Sequence, residues 1–176
     1  MDAGVQGLQG KAELVKPSDF LQLLVGAYAA KAALEGRHEA AARVVGQYDL
    51  NNTYQYIIGR EDQHLRWLAD AIEAAGGVVP TVPASEPLPP AKGEDAMRRV
   101  AGEDGRLLDA FVEAWRPRVE SVSHARDRLM LDLMLGETLE QARLFHQAEA
   151  GSLDLLGRRT GGDRLAGAVL PGRWVE

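Results

Sequence analysis

Glu61 and His64 stand three residues apart in the stretch YIIGREDQHLRWLADAI, which otherwise reads as an apolar helix. Residues at i and i+3 share a helix face, so the carboxylate and the imidazole point together, toward the side where the apolar residues lie. A second acidic pair with the same spacing, Glu137 and Glu140, occurs in LMLGETLEQA, and single polar residues interrupt two further apolar stripes: Tyr28 in LVGAYAA and Asp104 in VAGEDGR. Carboxylates gathered in a core each lose several kcal/mol of solvation and repel one another. Protonation, a cationic side chain or a metal ion would relieve that. Oxygen ligands with one imidazole suit Fe, Mn or Zn better than Ca or Mg. The candidate metal ligands are therefore Glu61, His64, Asp104, Glu137 and Glu140, with Tyr28 behind them, either near the metal or as a core tyrosine hydrogen-bonded to Glu61. Without a metal, Arg60 or Arg143 would neutralise Glu137 and Glu140, and Asp104 would face solvent beside Glu103. Glu35 falls away from the layer, near Tyr54 or Lys31. His124 and His146 point outward, and His38 has no assigned face.

Four helical elements must position these residues. The apolar spacing predicts helices over about 18–46, 50–75, 94–116 and 121–150. Ser18, Asp49 or Asn51, and Ser121 or Ser123 serve as N-caps, and Gly46, Gly76, Gly77 and Gly151 as stops. Pro117 is expected to end or kink the third helix. The expected stripe of the fourth is Met130, Leu133, Glu137, Glu140/Gln141, Leu144 and Ala148. Tyr28 to Glu61 and Asp104 to Glu137 are both separations of 33 residues, and the two halves repeat at a spacing near 76. That is an internal two-fold pattern with the polar residues level across each hairpin. Gly26, Gly59, Gly102 and Gly136 lie beside the layer and leave space there.

Short turns join the first helix to the second and the third to the fourth. Between these hairpins, residues 76–93 carry five prolines. In polyproline form at ~3.1 Å per residue, residues 78–92 alone reach about 45 Å, enough to pass a helix about 39 Å long at ~1.5 Å per residue. The fold class is all-α: a single domain over 1–176, a four-helix bundle with a long Pro-rich crossover, and a C-terminal tail over 151–176 that packs on the bundle or a neighbour.

Composition agrees. Alanine and leucine are plentiful, only 6% of residues are aromatic, and 45% are hydrophobic, a balance that favours helix. A net charge of −6 argues against a broad nucleic-acid surface, which wants a basic face. With no cysteine, disulfides and thiolate chemistry are excluded. No apolar stretch is long enough to span a bilayer. The opening residues have no basic stretch leading into an apolar run, so no secretory signal is expected. A cytoplasmic location is expected.

Glu-x-x-His on the second helix, an i, i+3 pair on the fourth, single polar residues on the first and third, and the long crossover together resemble the ferritin-like superfamily. The pattern is most similar to di-iron bundles of the rubrerythrin and bacterioferritin type, over about residues 18–150. In that family each half supplies Glu on one helix and Glu-x-x-His on the next. Here Glu61, His64 and Glu137 match, Asp104 is a shorter acid, Glu140 stands for the second His, and Tyr28 stands for the first Glu. The resemblance implies one or two Fe or Mn ions in the bundle, oxygen or peroxide redox or metal handling, an unidentified redox partner, and pairing as a homodimer. The alternative is a metal-free bundle acting as a structural or interaction module.

Overall fold

In the computed structural model, which describes residues 17–152 and 154–157, the chain forms α1 (Pro17–Val44), α2 (Tyr48–Ala74), α3 (Glu94–Glu120) and α4 (Ala125–Glu149), with no strand among the described residues. The architecture is an all-α four-helix bundle. None of the helices is long and apolar enough to cross a membrane.

Local chemistry explains the start of α2 and the ends of α2 and α4, whereas the expected N-caps lie elsewhere: Ser18, Asp49 and Asn51 are inside helices, and His124, not Ser121 or Ser123, precedes α4. At the end of α2, Gly76 takes φ 76° and the Gly77 N–H donates to the Ile72 carbonyl at 2.9 Å. Gly151 does the same for α4 at φ 97°, with Ser152 N–H donating to Gln147 O at 2.9 Å. These are left-handed positions that glycine adopts without steric cost. Gly46 is not one of them: α1 stops at Val44, and Gln47 caps α2 by accepting from Leu50 N–H at 2.5 Å. Pro117 does not end α3, which continues to Glu120. So close to the C-terminus, proline removes one backbone hydrogen bond, and buried Val119 and Val122 anchor the last turn in the core.

The buried positions alternate in steps of three and four. On α1 they are Leu24, Ala27, Lys31, Leu34, His38 and Ala41. On α2 they are Tyr54, Ile57, Glu61, His64 and Leu68. On α3 they are Ala101, Asp104, Leu108, Phe111 and Trp115, and on α4 Leu131, Met134, Thr138, Gln141 and Phe145. This seven-residue rhythm is that of side chains interlocking between nearly aligned helices. An offset of 77 residues carries Lys31 to Leu108, Glu61 to Thr138 and His64 to Gln141, all buried. The internal repeat is therefore eleven heptads, one residue longer than the spacing of the acids suggests. The stripe of α4 runs through Leu131, Met134, Thr138 and Gln141, whereas Leu133 is half exposed.

Helices α1 and α2 form one hairpin and α3 and α4 the other, joined through α1 against α3 and α2 against α4. Arg37 meets Asp104, and Gly26 lies under the Trp115 ring, where an added Cβ would come within 3.1 Å. Early residues of α1 thus face late residues of α3, so the two run antiparallel. Gly102 likewise lies beneath Glu149, and a Cβ there would be 2.1 Å from that side chain. By contrast, Gly59 and Gly136 face open space. After α4, Leu155 and Leu156 pack against the core. The rest of the expected tail, Leu153 and residues 158–176 with Trp174, lies outside the described residues.

Candidate functional site

At mid-bundle, α1 presents Lys31 and α2 presents Glu61 on facing positions of the heptad pattern. Neither side chain has solvent exposure, and Lys31 Nζ donates to Glu61 Oε1 at 2.8 Å. Two turns further along α1, His38 donates from Nδ1 to Glu61 Oε2 at 2.7 Å, since a carboxylate can only accept. Lys31 also reaches Gln141 Oε1 of α4, at 3.5 Å. Burial pushes the Glu61 carboxyl up, but His38 and Lys31, by charge and by hydrogen bond, outweigh it and hold it below the ordinary carboxylate range. The ring of Phe111 lies 5.6 Å from the ammonium and adds a face of negative quadrupole.

One level away, Asp104 is equally buried. Arg37 Nε donates to its Oδ1 at 2.8 Å and the Tyr54 hydroxyl to its Oδ2 at 2.6 Å, while Arg37 Nη2 reaches Glu103 at 3.0 Å. Asp104 does not face solvent with Glu103. The tyrosine in the layer is Tyr54, whose ring packs at a tilt against those of His38 and Phe145, which also meet each other. Tyr28 is half-buried at the edge of the core.

His64 turns inward with no solvent exposure, and its Nε2 donates to Glu137 Oε2 at 2.8 Å. Burial, aided by the nearby Lys31 charge, lowers the His64 pKa to about 4. The ring is therefore neutral near pH 7, with a lone pair on Nδ1. Among the described residues, Nδ1 has no hydrogen-bond partner, and neither do His38 Nε2 and Gln141 Nε2. Glu137, a quarter exposed, also accepts from Arg60 Nε at 3.1 Å and from Arg60 Nη2. Burial raises its carboxyl, and the Arg60 and His64 contacts more than reverse that. Glu140 points outward, is mostly exposed and pairs with Arg143 at 2.8 Å. The inward residue on that turn is its neighbour Gln141. Beside the layer, α2, α4 and Leu155–Leu156 border a half-open groove of about 450 Å³.

The five expected ligands are thus divided. Glu61 and His64 share the central layer, Asp104 is bonded to Arg37 and Tyr54, Glu137 bridges His64 and Arg60 at the rim, and Glu140 lies outside. Among the described residues no three His, Asp or Glu side chains are grouped so as to hold a metal ion. Glu35, half-buried on α1, has its pKa raised to about 7, first by burial and then by the charges of Glu61, Asp62 and Glu39. Sequence reasoning left Lys31 and His38 out of the layer. Their signal was present: both occupy the three-and-four rhythm of Leu24, Ala27, Leu34 and Ala41.

No family model matches this chain, and no curated protein or solved structure matches it.

Proposed function

We propose that this chain is a ferritin-like bundle whose core layer carries its own cation, Lys31, and that it acts as a binding or interaction module without a resident di-metal centre. The observation behind this is the buried Lys31 ammonium, 2.8 Å from Glu61 Oε1 and 3.5 Å from Gln141 Oε1. It supplies the positive charge that the Glu61 carboxylate requires, at the level where the family pattern puts metal. The other positions that the 77-residue offset relates to this level are Leu108, Thr138 and Gln141, and none of them brings a carboxylate or an imidazole. These donors do not fit a dinuclear carboxylate site.

The ferritin-like reading draws support from helix direction. Since α1 is antiparallel to both α2 and α3, α2 and α3 run parallel, and the Pro-rich segment over 75–93 has to pass the length of the bundle. Ser85 lies against Gly36 near the middle of α1, where a Cβ would be 2.5 Å from its hydroxyl, as a passing strand of chain would.

A second reading, a single Fe or Mn ion on Glu61 and His64 serving oxygen or peroxide chemistry or metal handling, is favoured by one observation. His64 donates Nε2–H to a carboxylate and keeps a buried, unpartnered Nδ1, the arrangement that orients metal-binding imidazoles. It requires Lys31 to withdraw from Glu61. Elemental analysis of the purified protein separates the two readings. The lysine-centred reading expects less than stoichiometric metal and a melting temperature indifferent to added Fe, Mn or Zn. Stoichiometric metal that disappears in Glu61→Ala and His64→Ala overturns it. Homodimer formation belongs to the same proposal, supported by Leu129 and Leu133, exposed one turn apart on α4. Sedimentation of Leu133→Glu tests it, with a dimer that persists unchanged counting against that face.

A further inference from the structure

We infer that the Pro-rich segment between α2 and α3 is a docking ligand for a protein domain whose aromatic-lined groove reads polyproline helices, with Pro87, Pro89, Pro90 and Lys92 making the contact. The inference gives the interaction-module reading a partner class and rests on that reading, although its residues lie outside the Lys31 layer.

The sequence over 82–93 is VPASEPLPPAKG. Burial along it repeats every three residues: Val82, Ser85, Leu88 and Ala91 are partly buried, and the two residues after each of them are exposed. A period of three is that of the polyproline helix, which has three residues per turn and no internal hydrogen bonds. Among the described residues, no backbone–backbone hydrogen bond involves 78–92. One edge of this three-sided rod faces the bundle. On it, Leu88 packs against the core, and Ser85 sits on Gly36 of α1, where an added Cβ would be 2.5 Å from the serine hydroxyl. The edge through Glu86, Pro89 and Lys92 and the edge through Pro87 and Pro90 face outward.

Those two edges are what a polyproline-reading groove takes. Its aromatic rings receive successive pairs that end in proline, here Glu86–Pro87 and Pro89–Pro90, while the residue between the pairs turns away from the groove. That residue is Leu88, and it is the one already turned to the core. The backbone carbonyls of the rod, unpaired with other backbone groups among the described residues, accept from Trp or Tyr donors of the groove. A segment anchored at Ser85 and Leu88 has little conformational freedom left to lose on docking, which favours affinity. A polyproline rod presents similar edges in both directions, so a charge has to set the orientation. Lys92 supplies it: the side chain is exposed and has no ion-pair partner among the described residues, and its neighbour Glu94 is taken up by Arg98. The partner's groove accordingly ends in an acidic pocket.

The test titrates the full-length protein calorimetrically with one probe, an SH3 domain selective for Pro-x-x-Pro followed by a basic residue. Wild type is expected to bind it. Pro87→Ala/Pro90→Ala is expected to weaken binding tenfold or more and Lys92→Glu at least threefold. Pro83→Ala, exposed on the same segment but outside the contact, should leave affinity within twofold. Thermal melts of each variant establish that the bundle is folded, and amide NMR of the labelled probe should show its shifts confined to the aromatic groove. No binding by wild type, affinity unchanged in the double variant or in Lys92→Glu, or a loss in Pro83→Ala equal to that of the double variant overturns the proposal. Metal content measured on the same wild-type sample separates the two failures. Stoichiometric metal at Glu61 and His64 refutes the lysine-centred reading, whereas binding that is absent or indifferent to the prolines refutes the docking ligand.

Discussion

Lys31 Nζ lies 2.8 Å from Glu61 Oε1, with neither side chain exposed to solvent. A buried pair of this kind adds little over a well-packed apolar pair, but removing one partner strands the other. Lys31→Ala leaves Glu61 with His38 as its one remaining partner among the described residues, and the expected loss is about 3–5 kcal/mol of unfolding free energy. The double variant Lys31→Met/Glu61→Met should recover much of it. Urea unfolding of the wild type, both single variants and the double variant measures the coupling. Additive losses would mean the pair does not act as a unit.

The sequence made this bundle readable far more than its site. Four helices, both hairpins and the expected stop at Gly76 follow from apolar spacing and turn chemistry, which are local. The site depended on register. Anchoring the α4 stripe on the acids Glu137 and Glu140 gave a repeat near 76, whereas the packing repeat is 77 and its inward pair is Thr138 and Gln141. One residue is about 100° on a helix, enough to turn Glu140 out to solvent and to leave Glu137 at the rim. Lys31 escaped notice for a different reason: a lysine near an apolar stripe ordinarily runs its stem along the surface and puts its ammonium in water. Only a buried counter-charge from another helix reverses that, and pairings across 30 residues are not written in local spacing.

The hydroxyl of Tyr54 is, among the described residues, one of two donors to the buried Asp104 carboxylate, at 2.6 Å. Tyr54→Phe keeps the ring contacts with His38 and Phe145 and removes only the donor. A hydrogen bond to a charged acceptor contributes about 1.5–3 kcal/mol, so a loss near 2 kcal/mol is expected. Asp104→Asn in the Tyr54→Phe background should cost less than Asp104→Asn alone. Thermal melts of the four proteins in this cycle are decisive, and equal costs in the two backgrounds would dissolve the coupling.

His64 makes stability depend on pH in a definite direction. Unfolded, it takes up a proton as pH falls through about 6.5; folded, it does so only near 4. Its contribution is complete above about pH 6.5 and is lost progressively as pH drops to 4. The magnitude is of the order of 3 kcal/mol, from roughly 1.4 kcal/mol per pH unit. Denaturant midpoints between pH 4 and 6.5 should rise with pH, and His64→Gln should flatten that rise. A slope that persists in His64→Gln would assign it to another group.

Glu35 acts in the opposite sense, and the two effects mask each other. Its pKa is raised from 4.5 to about 7, so between those values the folded chain holds a proton that the unfolded chain has released. Stability from this group is present at low pH and is lost as pH rises through 7. The side chain is only half-buried, and solvent screening reduces the effect to about 1 kcal/mol. Between pH 4.5 and 6.5 the wild type therefore shows a slope smaller than His64 alone would give, and above 6.5 a shallow decline. Glu35→Gln removes the decline, steepens the rise below pH 6.5 and stabilises the protein at pH 8. Midpoints measured for wild type and Glu35→Gln at pH 5, 6, 7 and 8 check all three effects. A variant no more stable than wild type at pH 8 would mean that the Glu35 carboxylate is already at ease among Glu61, Asp62 and Glu39, with Lys31 sufficient to offset them.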